Sequence, residues 1–243
     1  MDYMTDFVDE MVSTPYGMMH YRIHRGVGKC MVFLHGFGAT TRVWSRLLEC
    51  MPGSQTVCLV DLMGHGSSDA PDIDYTVKMQ AEAVGALVQS LKLKNIYLVG
   101  HSYGGWVAAY YAIGKTLGGL VLIDAGGPKE QFENRPPGRT LEDEKRMLLK
   151  AALSMNRNNE RVMRSVLDNS TEFQLDGPAL GGISARTLIV WGENDTLIPL
   201  SCARAFKNGI PDSRLSIVGG AKHEPHYTNA KEMCGLLEQF ISE

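Results

Sequence analysis

Ile96-Tyr97-Leu98-Val99-Gly100-His101-Ser102-Tyr103-Gly104-Gly105 decides the architecture of this 243-residue chain. Ile96 to Val99 is an apolar run of the kind that forms a strand covered on both faces. A Gly-x-Ser-x-Gly turn follows, and the residues from Gly105 to Ile113 read as a helix. In a chain with 26 glycines the five-residue pattern alone is weak; the strand–turn–helix setting gives it weight. A residue at the apex of so sharp a turn sits in strained backbone. Cβ atoms on its neighbours would meet the strand and the helix, which is why glycine flanks it.

The same alternation extends in both directions. Met31 to Leu34 and Val57 to Val60 are strand-like runs before the turn; Leu120 to Ile123, Thr187 to Trp191 and Leu215 to Val218 follow it. Val12 to Thr14 and Met18 to His24 form a hairpin about Pro15-Tyr16-Gly17. Most of these runs do not alternate polar with apolar, as expected inside a parallel sheet with helices on both sides. Ala83, Val84, Leu87, Val88 and Leu91 share one helix face, as do Met233, Leu236, Leu237, Phe240 and Ile241. The pattern predicts a doubly wound, mostly parallel α/β sheet with its ligand site at the carboxyl ends of the strands.

Residues 127–184 break the rhythm, with no strand-like run. Pro128 to Arg139 is polar and holds Pro136-Pro137; Thr140 and Asp143 then resemble a capping box. Met147, Leu148, Ala151 and Ala152 form an apolar face behind it, and Val162, Met163, Val166 and Leu167 mark a second helix. The expected organisation is a core of residues 1–126 and 185–243 with a helical lid, 127–184, inserted between two strands. The plainer alternative is that the insertion only covers a sheet face.

Composition narrows the function. Twenty-four Lys+Arg against 27 Asp+Glu give a net charge of −3, too little positive charge for a dedicated nucleic-acid binder. No apolar stretch approaches the ~18 residues that span a bilayer, and residues 1–11 are acidic without the apolar segment of a signal peptide. Five scattered cysteines without a Cys-x-x-Cys pair point to free thiols in a reducing compartment. A cytoplasmic protein is expected; the oligomeric state is left open.

A hydroxyl nucleophile requires a general base, and the base an orienting carboxylate. Asp195 lies just after the Thr187 to Trp191 run and His223 just after Leu215 to Val218. Ser102, Asp195 and His223 therefore stand in the chain order of a nucleophile-elbow enzyme, each at the carboxyl end of a strand. His35-Gly36-Phe37-Gly38 ends another strand, so the N–H groups of Phe37 and Tyr103 are candidates for a two-donor oxyanion hole, each donor worth about 3 kcal/mol. Asp124 also ends a strand and is a rival acid, and His226 is a rival base. Glu193, two residues from Asp195, is expected to point elsewhere, and His35 and His101 to serve packing or hydrogen bonding. Asp61, His65 and Asp69 could be imagined around a metal, but their spacing defines no coordination geometry and a structural loop is the better reading. No metal or cofactor is expected.

Taken together, the His35-Gly36 loop, the Asp61 to Asp69 loop, the Ser102 turn, the Asp195 loop and the His223 loop resemble the α/β-hydrolase superfamily over essentially the whole chain outside 127–184. Within it the chain is most similar to small lid-bearing carboxylesterases and to meta-cleavage-product hydrolases. The resemblance implies an eight-stranded sheet, with Ser102 as nucleophile, His223 as base, Asp195 as orienting acid, and Phe37 and Tyr103 as oxyanion donors. It implies hydrolysis of a small-molecule ester of short to medium acyl chain through an acyl-enzyme. Carbon–carbon cleavage, thioester hydrolysis, and ligand binding by a retained triad are the alternatives. Some positions depart from the family pattern: Lys222 where Gly commonly precedes the histidine, Met63 where Pro is common, and Glu224 where carbon–carbon hydrolases often carry Trp.

Overall fold

A computed structural model describes residues 6–133, 140–155 and 159–243. Eight strands form one sheet: β1 (Val8–Thr14), β2 (Gly17–His24), β3 (Cys30–Leu34), β4 (Thr56–Val60), β5 (Tyr97–His101), β6 (Gly119–Ile123), β7 (Thr187–Gly192) and β8 (Ser213–Val218). Their spatial order is β1-β2-β4-β3-β5-β6-β7-β8. β1 and β2 pair antiparallel, as do β2 and β4, and every later pairing is parallel. The helices are α1 (Ser45–Cys50), α2 (Val77–Ser90), α3 (Tyr103–Ala112), α4 (Lys129–Glu133), α5 (Leu141–Met155), α6 (Glu160–Asp168), α7 (Gly177–Gly181), α8 (Leu200–Gly209), α9 (Pro225–Thr228) and α10 (Ala230–Ser242).

The central strands read as unbroken apolar runs because each feeds two cores. Val32, Cys58, Leu98, Leu122 and Ile189 face the layer built from α2, α3 and α8. Their strand neighbours Phe33, Leu59, Val99, Ile123 and Val190 face α1 and α10. Alternating side chains enter opposite cores, both apolar, so period 2 leaves no polar trace. β8 lies at the sheet edge and is only partly buried.

Residues 127–184 form no named strand among their described members and contribute α4 to α7 between β6 and β7. The Thr140 box forms as expected: Asp143 N–H donates to Thr140 Oγ1 at 3.1 Å, and Thr140 N–H to Asp143 Oδ2 at 3.1 Å. The expected apolar face of α5 is not buried as a stripe; of it only Ala152 is buried, whereas Ala151 is exposed and Met147 is 39% exposed. A helix packed on one side over a cavity has less to cover it than one laid on a sheet. α6 carries the buried face, with Val162, Met163, Val166 and Leu167. The Pro136-Pro137 pair lies outside the described residues. No described helix is long and apolar enough to cross a membrane.

The loop after β4 is a hydrogen-bonded knot around Asp61, which is 2% exposed. Its Oδ1 accepts from Thr41 N–H at 2.7 Å, and its Oδ2 from Ser67 N–H at 3.0 Å and lies 2.9 Å from His20 Nδ1. Burial pushes the Asp61 carboxyl upward, but His20 and the donated N–H bonds outweigh it and hold it at about 2. Such an acid stabilises the fold above its unfolded value near 3.8, and that contribution fades as pH falls towards 2. Asp61→Ala strands His20 Nδ1 and the buried Thr41 N–H, and removes the acceptor of Ser67 N–H. It is expected to cost about 3 kcal/mol in urea unfolding at pH 7, with the gap to wild type narrowing below pH 4.

Candidate active site

Ser102 sits between β5 and α3 with φ +52° and ψ −117°, a conformation that side-chain-bearing residues seldom adopt. The turn closes because its neighbours lack side chains. A Cβ on Gly104 would strike the carbonyl oxygens of Leu34 and His35, and one on Gly100 the backbone of Gly104 and Gly105. Ser102 N–H donates to Ile123 O at 3.0 Å, and Ser102 O accepts from Trp106 N–H and Gly126 N–H. The hydroxyl is thereby raised at the carboxyl end of the central strand.

From there a hydrogen-bonded chain runs across the sheet. Ser102 Oγ lies 3.0 Å from His223 Nε2, and His223 Nδ1 lies 2.8 Å from Asp195 Oδ2. Asp195 Oδ1 accepts from Leu197 N–H at 2.8 Å and Ile198 N–H at 3.1 Å. An acceptor-only carboxylate at Nδ1 fixes the proton there and leaves Nε2 free to accept from the serine. Phe37 and Tyr103 both line the adjoining cavity. Neither of their N–H groups has an acceptor among the described residues.

The rivals are elsewhere engaged. Asp124 is fully buried at the end of β6, with φ +42°, and its Oδ1 accepts from Gly192 N–H at 2.8 Å. His226 is buried against His101 and Trp44, with ring centroids 4.3 and 4.7 Å away. Burial, then the neighbouring His223, holds its pKa down to about 3, so it is neutral. Glu193 points away as expected, its Oε2 accepting from Gly220 N–H. His35 is a neutral scaffold: Nε2 accepts from Leu62 N–H at 3.1 Å, so Nδ1–H donates to Gly36 O.

His101 has a partner that its position in the motif does not announce. Its Nε2–H donates to the backbone oxygen of His223 at 2.7 Å, tying the histidine loop to β5. Burial, then the neighbouring imidazoles of His226 and His223, which oppose a further proton, holds its pKa far below the ordinary histidine value. It therefore adds no positive charge beside His223. Two departures from the family pattern also have a local account. Met63 N–H donates to Gln80 Oε1 at 3.0 Å, a bond that proline cannot make. Lys222 is exposed and lies outside the left-handed region, so no glycine is needed there.

Asp61, His65 and Asp69 do not converge. Asp61 is committed as described, His65 Nδ1 faces Met63 O at 3.2 Å, and Asp69 Oδ2 accepts from Met18 N–H. Among the described residues one cluster has metal-ligating atoms within 4.8 Å of one another: Asp124, Asp195 and His223. His223 Nδ1 is already taken by Asp195 there, so a cation would break the chain to Ser102.

The cavity above Ser102 measures about 390 Å³, in the range of small-molecule sites. Its walls are chiefly apolar: Trp106 from α3, Met147 and Leu148 from α5, Val166 and Leu167 from α6, and Ile198. Of the methionines in the 127–184 insertion, Met147 lines it, Met163 is buried in the core and Met155 is 56% exposed.

Residues 31–235 match the family model described as "Alpha/beta hydrolase family". The chain belongs to that family. A 2-hydroxy-6-oxononadienedioate/2-hydroxy-6-oxononatrienedioate hydrolase of Paraburkholderia xenovorans is 24% identical, over 92% of this chain and 90% of its own. Among solved structures, an esterase from Exiguobacterium antarcticum superposes with a TM-score of 0.83 at 22% identity, covering 97% of this chain and all of its own. A meta-cleavage product hydrolase from Pseudomonas fluorescens IP01 gives 0.79 at 17% identity, covering 96% and 97%. These likenesses bear out the eight-stranded hydrolase fold.

Proposed function

We propose that the protein is a serine-dependent hydrolase of carboxylic esters with short to medium acyl chains. The observation that carries this reading is the Ser102–His223–Asp195 hydrogen-bonded chain on the floor of an apolar cavity. His223 takes the Ser102 proton as Oγ attacks the acyl carbon. The Phe37 and Tyr103 N–H groups hold the oxyanion, and Asp195 stabilises the imidazolium that forms. His223 then protonates the departing alcohol, activates water, and the acid leaves Ser102. In this reading α5 and α6 are a lid that shields the acyl-enzyme and receives the acyl chain. Five unpaired cysteines suit a reducing, cytoplasmic setting.

Carbon–carbon cleavage is the rival reading, favoured by the Paraburkholderia relative. Its named substrates are dioates and bring two carboxylates. Among the described residues lining the cavity no Lys or Arg offers a counter-charge. A neutral acyl ester suits that lining better. The test is a panel of p-nitrophenyl esters from acetate to decanoate, run beside an acyl thioester and a vinylogous diketone diacid. Esters are expected to give the highest kcat/KM, by about 100-fold or more over the diacid; the reverse order would overturn the ester reading. Leu148→Trp narrows the cavity and is expected to lower the octanoate-to-acetate ratio of kcat/KM about tenfold.

A further inference from the structure

Two carboxyl groups lie side by side beneath the relay, and hydrogen bonding treats them unequally. Asp195 receives three donors: His223 Nδ1–H, Leu197 N–H and Ile198 N–H. Among the described residues Asp124 receives one, Gly192 N–H on Oδ1, and its buried Oδ2 has no hydrogen-bond partner there. A carboxyl oxygen of each acid and a ring nitrogen of His223 fall within 4.8 Å of one another. Two anions this close, out of water, cannot both persist, and the one with more donors keeps the charge.

We propose that Asp124 is a positioning residue of the relay: it holds a proton, and its neutral carboxyl faces Asp195 and keeps that carboxylate on His223 Nδ1. The two acids then share a single negative charge. Asp124 also pins the end of β7 through Gly192, three residues before Asp195. Burial, with the Asp195 charge adding to it and the Gly192 bond opposing, raises the Asp124 carboxyl to about 9. The other ionisable groups around the pair are His223, Cys202 on α8 and Glu130 on α4. The Cys202 thiol is held at about 12, first by burial and then by Glu130, with Asp195 adding a smaller push, so it stays neutral. Among the described residues, no cation figures among the groups that shift Asp124.

This assignment rests on the ester-hydrolase reading for its kinetic arm only; its second arm needs no substrate. Asp124→Ala is expected to lower kcat about tenfold with KM within about twofold, and Asp124→Asn to restore most of that loss, because a neutral amide of the same shape keeps an oxygen on Gly192 N–H and faces Asp195 without charge, as the neutral acid does. Wild-type kcat should fall above about pH 9, as Asp124 ionises beside Asp195, and the Asn variant should lack that limb. Between the unfolded value of 3.8 and about 9 the folded chain holds one more proton than the unfolded, so stability falls as pH rises and levels off above 9. Urea unfolding of wild type and Asp124→Asn from pH 5 to 9 measures this difference. The wild-type unfolding constant should rise up to about tenfold per pH unit relative to the variant. A parallel pH dependence overturns the proposal, as does Asp124→Asn as inactive as Asp195→Asn, or Asp124→Ala equal to wild type. Should Asp124→Ala not fold, the linkage measurement decides alone. If wild type turns over no ester, the function reading fails and the linkage result still stands or falls by itself.

Discussion

Ser102→Ala is expected to lower kcat on a chromogenic short-chain ester by about 10⁴-fold or more while leaving the fold intact. In the proposed mechanism the Ser102 hydroxyl forms the acyl-enzyme, and neither the oxyanion donors nor His223 would replace it with more than modest catalysis by general base and binding. Among the described residues its one side-chain hydrogen bond is to His223, so its loss strands no buried donor there. The substitution retains the strained φ of +52°, because alanine is no freer there than serine. Unfolding free energy should therefore stay within about 1 kcal/mol of wild type. Steady-state kinetics with a thermal melt on the same preparation measures both. Retention of more than about a tenth of the turnover would remove Ser102 as nucleophile. Stoichiometric labelling of wild type by an organophosphonate, absent in the variant, is the companion result.

Asp195→Asn is expected to lower kcat by about 10³- to 10⁴-fold with little change in KM. The size follows from hydrogen-bond direction. Leu197 N–H and Ile198 N–H both donate to Oδ1. An asparagine in this place must keep its carbonyl oxygen on those donors, which turns its NH₂ group towards His223 Nδ1. Nδ1 then has to accept, the ring proton moves to Nε2, and the imidazole can no longer take the serine proton. Asp195 acts in the proposed mechanism through His223, so the loss is expected to fall on kcat. A variant losing less than about tenfold would transfer the orienting role to Asp124.

The strands and the Ser102 turn were legible because they depend on local chemistry. Apolar runs too short for helices, glycines where a Cβ would strike backbone, and Thr140 paired with Asp143 are properties of neighbouring residues. The 127–184 insertion was legible as helices but not as a lining. The 3.6-residue period reveals an apolar face; whether that face meets a core, as Met163 does, or a cavity, as Met147 does, depends on what the sheet places opposite. His101 was readable as a polar residue in a buried turn. Its bond to the His223 carbonyl spans 122 positions and leaves no mark in either local stretch.

The chain alone determined that a serine, two acids and a histidine stand at carboxyl ends of strands, since each follows its own apolar run. Which acid turns to His223 was decided only in three dimensions. Asp124 and Asp195 occupy equivalent places after β6 and β7. The left-handed backbone at Asp124 aims its Oδ1 at Gly192 N–H, whereas the loop after β7 wraps Leu197 and Ile198 around one oxygen of Asp195 and presents the other to the imidazole. Side-chain direction at a strand end depends on the donors that surrounding loops bring to it, and those donors come from residues whose proximity exists only after folding.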